Sequence, residues 1–170
     1  MALVLPNLVD VGADDLLLPQ GVHQATLADI EDRFVNTSPT YQRRVEQWQL
    51  YRQFRTLVAG LVPIQQEFVD GSFVTSRPAP KDIDVSLWIA ATDIDGLTPN
   101  QRAAFAQIWS VRITQFRCDA YLVTPCQANH PAFADFQYWK LRTESSWAAY
   151  KNRKKLIEAG ITKGYVEVVQ

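Results

Sequence analysis

The chain has 170 residues, enough for one domain with its own core. An apolar fraction of 47% argues against wholesale disorder, and a net charge of -1 excludes the broad basic field of a nucleic-acid-coating protein. No apolar run approaches the roughly 20 residues a bilayer span requires, and Cys118 and Cys126 form no CxxC pair, which speaks against zinc.

The opening "MALVLPNLVDVGADD" is apolar and then acidic, without the basic region of a signal peptide. The expectation is a cytoplasmic protein with reduced thiols. Residues 1–25, punctuated by Pro6, Gly12, Pro19 and Gly21, read as an irregular arm, and residues 26–170 as a single domain. "TLADIEDRFV" starts a helix, with Thr26 as cap and Asp29 three residues on. Ser38-Pro39 opens a longer one. Val45, Trp48, Tyr51, Phe54, Val58 and Leu61 give it one apolar stripe, and Pro63 stops it. That stripe is read as core packing.

"IQQEFVDGSF" reads as the first strand, ending at Gly71, and "TSRPAPK" as a loop. "DIDVSLWIA" is the clearest strand. Ile83, Val85, Leu87 and Ile89 fall on one face, and Asp82, Asp84, Ser86 and Trp88 on the other. "ATDIDGL" reads as a turn, with Asp93 and Asp95 as solvated acids beside Gly96. Thr98 and Pro99 cap a helix over "TPNQRAAFAQIWSV". "RCDAYLV" is a third strand that puts Asp119, Tyr121 and Val123 on one face. "ADFQYWKLRTESSWAAYKNRKKLIEAG" is helical in pattern up to Gly160, and "KGYVEVV" is a last strand. The expected class is α+β, a small mixed sheet flanked by helices.

Asp82 and Asp84 stand two apart in a strand, so both carboxylates project to one side. Like charges that close repel unless a cation lies between them. Hard oxygen ligands suit Mg²⁺ or Mn²⁺ held together with substrate phosphates. A neighbouring strand brings Asp119 to the same face, and three carboxylates hold two ions for in-line nucleotidyl transfer. Gly71 allows close backbone approach to a phosphate, and Ser72 supplies a hydroxyl donor. The bland alternative is a charged strand entry that keeps a sheet edge soluble. His23 and His130 match no metal motif and read as structural or surface residues. "KNRKK" at 151–155 reads as a solvated helix end or, with Trp139, Trp147 and Tyr150 near it, as a contact for RNA or substrate phosphates.

Residues 71–84, "GSFVTSRPAPKDID", resemble the GS…DxD signature of the DNA polymerase β-like nucleotidyltransferase superfamily, and Asp119 matches its third carboxylate. The chain is also similar to an uncharacterised bacterial family of small nucleotidyltransferase-like proteins. That similarity runs through "GVHQATLADIEDRF", "DGSFVTSRPAPKDIDV" and "KGYVEV". The resemblance implies a small mixed sheet with helices on one side. It implies that Gly71 and Ser72 hold the phosphates of an NTP such as ATP, and that Asp82, Asp84 and Asp119 ligate Mg²⁺ or Mn²⁺ and carry catalysis. It also implies an acceptor hydroxyl on a small molecule, an RNA or, as in antitoxins that adenylylate a toxin, a partner protein. A catalytically inactive interaction or nucleotide-binding module is the other reading. Many members carry GSxxxG; Ser76 stands where the second glycine would fall, which makes the loop stiffer. Arg77 and Lys81 either add positive charge for phosphates or are ordinary loop charges.

Overall fold

The computed structural model describes residues 4–10, 15–38, 41–145 and 163–169. Among them, five strands form one mixed sheet: β1 (Val22–Ala25), β2 (Gln66–Asp70), β3 (Ile83–Trp88), β4 (Cys118–Val123) and β5 (Tyr165–Val168). Their order in the sheet is β1-β5-β2-β3-β4. β1 runs parallel to β5, β5 and β3 run antiparallel to β2, and β4 runs parallel to β3. The helices are α1 (Leu27–Glu31), α2 (Tyr41–Ala59), α3 (Ala91–Asp95), α4 (Pro99–Ser110) and α5 (Phe133–Ser145). The chain is therefore an α+β protein with a five-stranded mixed sheet. No helix among the described residues is long and apolar enough to cross a membrane.

Local chemistry sets most element ends. Thr26 caps α1 in a reciprocal box with Asp29, and Thr98 does the same for α4 with Gln101, followed by Pro99. The Thr26 hydrogen bonds pull the Asp29 carboxyl below its ordinary range. α1 passes into a π-helical turn, Asp32–Asn36, that buries Phe34 and Val35. Pro39 and Thr40, which lead into α2, lie outside the described residues.

β3 is buried at every position because it lies inside the sheet with both faces covered. On one face Val85, Leu87 and Ala120 meet the stripe of α2 and the helix α4. Phe54 packs there against Trp109 and Phe116 at 5.8 and 5.7 Å. A buried polar cluster sits on the same face, where the Tyr51 hydroxyl donates to Glu67 and Arg55 Nε donates to Glu67 at 2.7 Å. Burial, and then the Glu67 charge, push the Tyr51 hydroxyl pKa well up. Burial also raises the Cys118 thiol, with the Asp82 and Glu67 charges adding to it.

Helix α5 covers the opposite face: Trp88 meets Phe136 edge-on at 6.3 Å, and Tyr121 packs against Trp139 at 5.5 Å. The expectation of helices on one side is thus corrected, because Trp88 and Tyr121 are large apolar rings that need a cover of their own. Two further expectations change. Residues 22–25 are a strand rather than part of an irregular arm, since β5 offers them a parallel partner from Val22↔Tyr165 to Ala25↔Val168. Residues 91–95 form a helical turn rather than a simple bend; Gly96 ends it, and the Asp95 carboxylate pairs with His130 Nε2 at 2.8 Å. The basic run at 151–155, Trp147 and Tyr150 lie outside the described residues.

Candidate active site

Register decides which acids meet. In the antiparallel pair β2–β3 Asp70 lies opposite Asp84, and in the parallel pair β3–β4 Asp84 lies opposite Asp119. Opposed residues share a face, so three carboxylates form one row across three strands, spaced by about 4.8 Å per strand. The row lies on the α5 face, two residues along β3 from Ser86 and four from Trp88. Asp82 stands just before β3 and is half-buried. Asp84 is only 7% exposed, deep for a carboxylate. Tyr121, on the site face of β4, donates from its hydroxyl to Asp119 Oδ2 at 3.2 Å. Among the described residues no three His, Cys, Asp or Glu side chains converge on one point as they stand. Mg²⁺ commonly takes one or two carboxylates with the rest supplied by phosphates and water, so a complete protein cage is not required. A row of hard oxygen donors, two of its three carboxylates buried, therefore fits such an ion.

The chain leaves β2 through a tight 3-10 turn, Gly71–Val74. Gly71 has φ +77°, and a Cβ there would overlap the Asp84 carboxylate. Glycine thus serves twice: it accepts the left-handed backbone, and it lets the turn close onto the acid. Gly71→Ala should move the Asp84 carboxylate or open the turn. The expected result is a loss of roughly 2 kcal/mol in stability, from strain and displacement together, measured by urea unfolding. An unchanged midpoint would count against this close packing.

The loop that follows is pinned from two sides. From below, Arg44 of α2 is 2% exposed and donates to four backbone carbonyls. Nη1 reaches Phe34 and Phe73 at 2.9 and 2.7 Å, and Nη2 reaches Thr75 and Arg77 at 3.1 and 2.6 Å. Its guanidinium also lies over the Phe73 ring at 5.1 Å. Burial lowers the Arg44 pKa to about 10, with the Asp15 charge opposing, so the group stays cationic at neutral pH. From the outer side, the N-terminal arm pairs with the loop: Leu17 bridges Thr75, and Ser76 exchanges hydrogen bonds with Leu16 at 2.6 and 3.0 Å. Ser76, at the position of the second glycine in GSxxxG, thus serves as an attachment point for the arm. Arg77 is paired with Asp15 at 3.0 Å, and Lys81 is exposed.

The structure therefore brings together Asp84 and Asp119, with Gly71 against Asp84 and Ser72 next in the turn; Asp82 stands at the edge of the group. Sequence reasoning missed Asp70, Lys163, Arg44 and Tyr121. Lys163, just before β5, sends its buried ammonium to Asp70 Oδ1. Burial pulls its pKa down from the ordinary lysine range. The "VDGS" stretch did hold one signal, a third acid at the mouth of a buried strand. His23 of β1, which matched no metal motif, turns its Nε2 to the Pro19 carbonyl of the arm at 2.7 Å.

A buried mixed sheet that presents a row of acids beside a glycine turn defines an α+β domain with a concentrated anionic site. By its sequence the chain belongs to a family of unknown function, DUF6932, whose pattern it matches over residues 11–169. No curated protein and no solved structure matches it.

Proposed function

We propose that the chain is a metal-dependent nucleotidyltransferase of the DNA polymerase β-like kind. The observation that carries this reading is the in-register placement of Asp84 and Asp119 on adjacent parallel strands, with the Gly71–Ser72 turn folded against Asp84. An NTP would lay its β- and γ-phosphates on the turn, where the Ser72 hydroxyl and backbone N–H groups donate. Asp82, Asp84 and Asp119 would hold Mg²⁺ or Mn²⁺, whose chemistry when bound is to offset charge on the phosphates. The acceptor hydroxyl oxygen attacks the α-phosphorus. The bond to the bridging oxygen breaks, pyrophosphate leaves, and the hydroxyl proton passes to Asp119. Tyr121 then orients Asp119 for that transfer by donating to its other oxygen. The sheet geometry favours no particular base; ATP is the first NTP to try, and a partner-protein hydroxyl the first acceptor.

Thermal unfolding with each of the four NTPs, with and without Mg²⁺ or Mn²⁺, tests the reading. At about 100 times Kd the expected stabilisation is roughly 2.7 kcal/mol, visible as a Tm rise of several degrees. Stabilisation by no NTP in the presence of metal would leave the second reading, an interaction module on the same fold.

A further inference from the structure

The residue before Gly71 is also an aspartate, and the nucleotide reading gives it no task. Asp70 is fully buried and lies opposite Asp84, at the inner end of the carboxylate row. Its Oδ2 is buried and has no hydrogen-bond partner among the described residues. Its Oδ1 is held by the ammonium of Lys163, a side chain only 4% exposed that comes from a segment 93 residues away. The seat of that lysine is fixed. The N–H of the next residue, Gly164, donates to the Leu18 carbonyl at 3.0 Å. A Cβ on Gly164 would overlap the Pro19 carbonyl and stand 2.7 Å from His23 Nε2. The arm thus clamps the backbone beside Lys163, and the ammonium is aimed at the row.

An uncompensated Asp70 would be one more hard oxygen ligand next to Asp84, with one oxygen already bare. It would draw a divalent ion inward, beneath the turn and away from Asp82 and Asp119. A buried ammonium on Asp70 prevents this, because it already balances the single carboxylate charge and occupies the space beside Oδ1. We propose that Lys163 is a positioning residue of the nucleotide site: by neutralising Asp70 it keeps that carboxylate off the metal, so that divalent ions are left to Asp82, Asp84 and Asp119. The inference rests on the nucleotidyltransferase reading of those three acids.

The probe is Mn²⁺ alone, its binding followed by electron paramagnetic resonance in the full chain. Wild type is compared with Asp84→Asn, Lys163→Met, Asp70→Asn and the Lys163→Met/Asp70→Asn double variant. Lys163→Met should bind Mn²⁺ about tenfold more tightly than wild type, since it frees a carboxylate, and the double variant should return to about the wild-type affinity. A merely structural lysine would give the opposite sign, because a loosened site binds less well. Lys163→Met leaves a buried carboxylate unpaired, so it is the variant most at risk of not folding. Lys163→Gln, which removes the charge but keeps an N–H donor for Asp70, is then measured in its place and should also tighten Mn²⁺ several-fold, an effect that Asp70→Asn added to it should abolish. Failure of Mn²⁺ to tighten in the folded comparison overturns the role of Lys163, and leaves the nucleotidyltransferase reading intact if Asp84→Asn still weakens binding. Wild-type binding that is indifferent to Asp84→Asn overturns both.

Discussion

Asp84→Asn is expected to abolish metal-dependent stabilisation by NTP while leaving the protein folded. The amide has the shape of the carboxylate, so the close fit against Gly71 is kept. Its charge is lost, and with it one repulsive neighbour for Asp119, which lies beside it in register. Stability without ligand should therefore change by no more than about 1 kcal/mol, whereas the roughly 2.7 kcal/mol from saturating NTP and metal should vanish. Once an acceptor is in hand, nucleotidyl transfer should fall by roughly a thousandfold, about 4 kcal/mol of lost transition-state stabilisation. Near-constant stability together with the lost NTP effect is diagnostic. A structural acid would lose stability on substitution, and a solubilising strand entry would change nothing. Undiminished NTP stabilisation in Asp84→Asn would end the case for this site.

The second large effect is on stability. Arg44→Leu should cost roughly 4 kcal/mol in urea unfolding, a large share of a domain's usual 5–15 kcal/mol. The reason is arithmetic of donors: four carbonyls, those of Phe34, Phe73, Thr75 and Arg77, lose their partner at once. Leucine fills part of the volume but donates nothing. Arg44→Lys should recover only part of the loss, because an ammonium has one point of origin where the guanidinium fork spans two pairs of acceptors. A lysine variant as stable as wild type would show that charge, rather than the fork, holds the loop. Weakened nucleotide binding should accompany the loss, since three of the four carbonyls lie in the turn and loop after β2.

Much of this site was legible in one strand. Alternation over "DIDVSLWIA" separates Asp84, Ser86 and Trp88 from Val85 and Leu87, and the sheet keeps that division. Asp119 was legible for the same reason, and β3 and β4, each with an acid as its second residue, fall into line when they pair in parallel. What could not be read was anything decided by a distant partner. "VHQA" is too short and too polar to declare a strand; its identity comes from β5, far along the chain. Arg44 sits on a helix whose apolar stripe drew the eye, and nothing local shows that its guanidinium turns inward toward a loop 29 to 33 residues later. Asp70 and Lys163 each look like ordinary strand-end charges until β2 and β5 are set side by side. The Ser76 departure from GSxxxG likewise makes sense only with the arm alongside it.

The place of β5 between β1 and β2 has a consequence for synthesis on the ribosome. β1 is translated first of the five strands and β5 last, yet β5 is the neighbour that β1 needs. At about 5–20 residues per second, β1 waits on the order of ten seconds for that partner, and the arm before it waits for Gly164. The β2–β3–β4 portion can pair earlier, so nascent chains would carry an acidic strand mouth before its lysine arrives. Such chains would expose two unpaired edges for chaperones to recognise, and the protein would become competent only as its final strand is threaded home.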